Sequence, residues 1–168
     1  RHDERRSWMS TATADSAILH RPRTVAAILT LLVFLGVTAT AGGIGMLSGI
    51  DALAPPDAWL DDVPVIHSWL IPGLVLGIGF GVGSLFTAYG MFRRMTIHRL
   101  TALQSVTHHH WSWIATILIG TGQALWISLE LVYLPDPSFL QAVYLPVGLA
   151  LFALPLTRSA RAHLAWGS

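Results

Sequence analysis

Glu130 is an acid inside an apolar run, "WISLELVYL", and His67 stands near the head of another, "HSWLIPGLVLG". Ionisable side chains are costly to place in hydrocarbon, so they turn toward other helices and take partners. A carboxylate and an imidazole at one depth could pair, pass a proton or line a small polar pocket. Each lies about four residues in from the outer end of its run, so the two are expected at the same level. The expectation is that they pair, directly or through one water, with Gln141 close by. Thr116, Gln123 and Glu130 recur every seven residues with Gly120 between them, which puts them on one helix face. That stripe reads as a proton or ion path open outward, or as interhelical hydrogen bonds of about 0.6–2 kcal/mol each. Glu130 is the leading functional candidate, because glutamine would pack nearly as well without a charge.

Other chemistry finds less support. Zinc needs three or four converging ligands, and the outer level offers His67 and Glu130, supplemented only by Asp136 or Asp62. Met46 is the second ligand that a haem on His67 would use. No metal site is expected and no cofactor is assigned. In "HHHWSW", His108, His109 and His110 precede Trp111 and Trp113. Successive helical residues diverge by about 100°, so the three imidazoles cannot share one metal if helical; they are expected at the inner headgroups. The chain has no cysteine and no lysine, which excludes thiolate, Schiff-base and P-loop lysine chemistry. It carries no nucleophile elbow, zincin helix or dinucleotide fingerprint, so no catalytic residue is assigned.

The elements that must position these residues are membrane helices. The 168 residues are 53% hydrophobic and 11% charged, with mean hydropathy +0.58, against about 25% charged residues in a soluble domain. Four runs approach the roughly 20 apolar residues that a span requires: 24–50, 63–92, 111–134 and 139–156. Their patterning does not suit a lipid-facing barrel strand, so an all-α, membrane-spanning four-helix bundle is predicted over 24–157. The remainder is a basic tail, 1–23, and a short tail, 158–168. The first run is too long for a signal-peptide core, so no cleavable signal is expected; the chain opens at Arg1, and its first methionine is Met9.

Charge sorts the connectors. Arg1, Arg5, Arg6, Arg21, Arg23, Arg93, Arg94, Arg99, Arg158 and Arg161 fall in the two tails and the second connector. The other connectors carry Asp51, Asp57, Asp61, Asp62 and Asp136 and no base. The positive-inside rule therefore puts both termini in the cytoplasm. The basic side needs no nucleic acid to explain it. The second connector, with Met95, Ile97, Leu100, Leu103 and Val106, reads as a short interfacial helix or an extension of a span. "PDPS" is so short that spans three and four must be antiparallel neighbours.

Glycines mark close packing. Gly73, Gly77 and Gly81 recur every four residues in span two, and span one carries Gly42, Gly43, Gly45 and Gly49. Missing side chains let backbones approach, and packing drives association in lipid. The glycine faces of spans one and two are expected to meet; a second copy and a flat ligand are the other candidates. Pro72 is expected to kink span two near Ser68, and Pro146 to do the same in span four.

"HSWLIPGLVLGIGFGVGSL", "WISLELVYLP" and "SFLQAVYLPVGLALFALPL" together resemble a family of uncharacterised bacterial four-span membrane proteins. The resemblance implies a four-helix bundle in a bacterial plasma membrane and brings no activity. Three readings stay open: a non-enzymatic accessory or assembly subunit; a small proton, ion or solute transporter-like oligomer using the stripe on span three; and a membrane enzyme or a cofactor- or lipid-binding protein with an outward His/Glu site. The partners to expect are the lipid bilayer and a second copy or a larger membrane complex.

Overall fold

The computed structural model describes residues 22–50, 55–60, 67–97, 108–133 and 138–165. Four helices are long and apolar enough to cross a membrane, and no strand is found among the described residues, where His109 and Ala165 make a lone bridge. α1 is Arg23–Leu47, α2 is Leu70–Arg93, α3 is Trp111–Tyr133 and α4 is Phe139–Leu156. A short α5, Arg158–His163, follows. The all-α architecture with four helices of spanning length is as predicted. In the second connector Arg93 ends α2, residues 94–97 are not helical, and the interfacial helix expected there otherwise lies outside the described residues.

Hydroxyls in the spans hide their polarity locally. Thr30, Thr38 and Thr40 donate to the carbonyls of Ala26, Phe34 and Gly36, one turn back. Such back-bonding lets a threonine sit in a helix without an unpaired donor. Large apolar residues such as Leu118 (65% exposed) and Val132 (74%) cover the outside. In water so much exposed apolar surface would be an aggregation hazard; against lipid it is the expected surface.

Two seams of small residues hold the hairpins. In the first, α1 and α2 run antiparallel. A Cβ on Gly43 would meet the Gly77 Cα at 2.5 Å and the Gly73 carbonyl at 2.7 Å, so the two backbones touch there. Gly36 faces Leu85 and the Gly81 carbonyl, and Gly81 faces Thr40. Gly42 looks instead at the Leu76 side chain, and Gly49, at φ +65°, faces open space. The α1 side of the seam is therefore Gly36, Thr40 and Gly43 rather than the row Gly42, Gly45 and Gly49. Gly45 is buried within α1. In the second seam, Gly120 of α3 lies against the backbone of Gly148, Leu151 and Phe152 in α4, and Gly148 against Ala124.

The kink assigned to Pro72 needs correction. α2 begins at Leu70, so Pro72 lies in its first turn. The first four N–H groups of a helix have no intrahelical acceptor, so proline forfeits nothing there. The departure from α geometry comes next, in a π-helical stretch, Val75–Val82. A π-helix bonds i→i+5 and so takes more residues per turn than the 3.6 of an α-helix. Glycines spaced by four, Gly73, Gly77 and Gly81, thereby stay aligned toward α1. Pro146 lies inside α4, which continues through it.

The hairpins meet at fewer points. Phe80 of α2 abuts Gly122 and packs edge-on to Trp126, with centroids 6.2 Å apart. Gly90 receives the Trp111 ring. Phe34 stacks on Tyr144 at 5.8 Å, and Ile28, Leu32 and Leu35 of α1 and Leu151 of α4 are fully buried in one core with Ala88 and Met91 of α2. Arg23, Arg93, Arg94, Arg158 and Arg161 all fall at one end, because Thr24 bonds Ser159 and Arg94 reaches the His163 carbonyl.

Candidate functional site

Ser138 caps α4. Its hydroxyl accepts from the Leu140 N–H, and its own N–H donates to Gln141 Oε1 at 2.7 Å, a reciprocal capping box. The Ser138 hydroxyl also donates to Gln141 Oε1. With Oε1 so engaged, the Gln141 amide must turn its Nε2 outward from the box. It points to Glu130, where Nε2 donates to Oε2 at 3.3 Å. The other carboxyl oxygen, Oε1, accepts from Trp126 Nε1, one turn earlier on α3. Both donors are N–H groups, the complement that an acceptor-only carboxylate requires. Phe80 against Trp126 ties this cluster to the π stretch of α2.

Glu130 and Gln141 are thus brought together as expected from their depths. His67 is not part of the group. It is exposed and precedes α2, and among the described residues Glu130 is bonded to Trp126 and Gln141 instead. The reason is where the helix starts: with α2 beginning at Leu70, His67 stands outside it. Asp62 and Asp136 lie outside the described residues. Met46 has its Cβ beside Gly73, inside the first seam. Among the described residues, no group of three or more His, Asp or Glu converges as a metal site would need.

The stripe on α3 is buried at Thr116, Gly120 and Gln123 and half-buried at Glu130. Thr116 donates to the Ser112 carbonyl, so its polarity is spent within the helix. Gln123 is 1% exposed, and its Oε1 has no partner. Ser84 of α2 is fully buried, and its hydroxyl likewise has none. Thr87, by contrast, donates to the Gly83 carbonyl. Ser84 lies two residues beyond the end of the π stretch, Val75–Val82. Buried polar atoms without partners are uncommon and call for an explanation, often a water.

Two participants escaped the sequence reading. Trp126 is the nearest donor to Glu130, and its signal was the i, i+4 spacing within α3. Ser84 carried no signal at all, since nothing in the sequence separates it from an ordinary back-bonded serine. The histidines turn out to be structural ties. His110 bonds Met95 and Ser112, and His109 stacks on Trp113 at 4.5 Å.

The fold and site together define a four-helix bundle of membrane-spanning length that carries, among the described residues, an internally bonded carboxyl group, Glu130, near one end of α3. Comparison with protein-family models, with curated proteins and with solved structures gives no match.

Proposed function

We propose that the protein is a non-enzymatic integral membrane subunit, an accessory or assembly module of the bacterial four-span kind, in a plasma membrane with both termini cytoplasmic. The observation that carries this reading is the state of Glu130. Both of its oxygens are engaged by donors of its own chain, Trp126 and Gln141. A carboxyl group held so locks α3 to α4 and leaves little to offer a substrate. The apolar outer faces suit lipid and a partner helix, a second copy or another subunit of a larger complex.

Two measurements test it. In proteoliposomes under a pH gradient, wild type and Glu130→Gln are both expected to leak protons no faster than empty vesicles. A flux present in wild type and lost in Glu130→Gln would overturn the accessory reading in favour of transport. In mild detergent, the native protein is expected to migrate as a complex containing a second polypeptide; a bare monomer contradicts the assembly role.

The orientation has its own test. The chain has no cysteine, so single-cysteine variants report cleanly. Asp57→Cys is expected to react with a membrane-impermeant maleimide in intact cells, and Ser159→Cys only after permeabilisation. The reverse pattern would place the arginine end outside, against the positive-inside rule.

One observation favours a second reading. The unpartnered Gln123 Oε1 and Ser84 hydroxyl are a buried acceptor and a buried hydroxyl on neighbouring helices. A bound water at each would satisfy it, and a continuous file of such waters is what a transport path requires. The same flux assay on Gln123→Leu distinguishes the two readings: the accessory role predicts no change.

A further inference from the structure

We propose that His110 is a pH-sensitive cap on α3, which in its neutral form locks the arginine end of the bundle and on protonation at Nδ1 releases it. The inference goes beyond the functional reading above and does not depend on it.

The geometry assigns the protons. His110 Nε2 lies 2.9 Å from the Met95 carbonyl. A carbonyl only accepts, so Nε2 carries the hydrogen. The ring is neutral when Nδ1 is bare, and Nδ1 is placed to accept: the Ser112 hydroxyl lies at 2.8 Å and the Ser112 N–H at 3.3 Å. α3 begins at Trp111, so Ser112 is its second residue. An acceptor immediately before a helix that bonds the second N–H is an N-cap, a role usually filled by Ser, Asp or Asn.

The same residue joins three segments. Its Nε2 holds the chain just after α2 through Met95, whose carbonyl also accepts from Trp111 Nε1 at 2.6 Å. Its side chain caps α3. Its backbone N–H donates to the Leu164 carbonyl, just beyond α5, at 2.8 Å. Protonation of Nδ1 would set an N–H against the Ser112 N–H and take away that amide's acceptor. It would also put a positive charge at the positive end of the α3 dipole. Ser112 is fully buried, so its amide would have no water to turn to.

The charges facing the ring oppose its protonation. Arg94, at the end of α2, acts on His110 directly and is itself held against His163 of α5. His109 stacks beside it on Trp113. Burial pushes His110 below the ordinary histidine value of 6.5; the bond to Met95 pulls the other way, and the Arg94 charge adds to the lowering. The unfolded chain therefore binds this proton first as pH falls. The contribution of His110 is complete above about 6.5 and is lost as pH drops from there through the lower folded value.

The test uses the full chain in lipid nanodiscs, comparing wild type with His110→Asn, since asparagine caps without titrating. Between about pH 7.5 and about pH 5.5, a window bracketing the ordinary histidine value, the wild-type melting temperature is expected to fall about 3 °C further than that of the variant. Equal falls overturn the proposal. Should His110→Asn fail to fold, the wild type alone decides by NMR titration. A His110 midpoint below 6.5, with the Ser112 amide shifting at that midpoint, upholds the cap. A midpoint at or above 6.5, or an unmoved Ser112 amide, refutes it.

Discussion

Gly43→Ala unfolds the α1–α2 hairpin at a lower denaturant concentration than wild type, whereas Gly77→Ala, at the same crossing, leaves the midpoint nearly unchanged. The asymmetry is geometric. A Cβ on Gly43 would sit 2.5–2.7 Å from the Gly77 Cα, the Gly77 N and the Gly73 carbonyl oxygen, all backbone atoms. Backbone cannot rotate away, so the helices must part by about an ångström, at a cost near the top of the roughly 1–3 kcal/mol usual for overpacking. A Cβ on Gly77 meets the Gly43 Cα at 3.4 Å, an ordinary contact, and alanine recovers up to about 1 kcal/mol of helix propensity. Equilibrium unfolding in bicelles measures both. Equal effects from the two substitutions would mean that α1 and α2 do not cross where the structure has them.

Gln141→Leu is the second large effect. The substitution strips one donor from Glu130 and removes the acceptor of the Ser138 N–H. A hydrogen bond to a charged group contributes about 1.5–3 kcal/mol and an N-terminal cap about 0.5–2 kcal/mol, so a loss of about 2–4 kcal/mol is expected. Glu130→Gln should cost less, because it leaves the capping box intact. The two changes share one bond, so their effects should fall short of additive by about 1 kcal/mol in a double-mutant cycle. Strict additivity would show that Gln141 and Glu130 do not act on each other, and the locked carboxyl group would lose its support.

The site was half legible in the sequence. Depth could be counted along each span, and it brought Glu130 and Gln141 to one level. It could not say which way either side chain turned. Gly42 and Gly43 make the point on a smaller scale: neighbours on a helix differ by about 100°, and only Gly43 backs onto Gly77. The second seam, Gly120 against Gly148, went unread for a related reason. Two lone glycines make no pattern until the helices that carry them are side by side.

Pro72 shows how a small shift in a boundary changes a residue's meaning. Were the helix to start at residue 63, this proline would break it; with the start at Leu70 it opens it. The glycine-rich stretch behind it, Val75–Val82, runs as π-helix.

What the sequence by itself determined was the class of fold. Four apolar runs in lipid have no way to satisfy their backbones except as helices, and the described arginines, Arg23, Arg93, Arg94, Arg158 and Arg161, collect at one end. Those outcomes depend on composition and length, which a linear chain displays in full. Tertiary structure alone decided the partners: Trp126 for Glu130 rather than His67, Gly43 for Gly77, Met95 and Ser112 for His110. A partner depends on where a helix begins and how it is rotated about its axis, and packing against the neighbouring helices sets both.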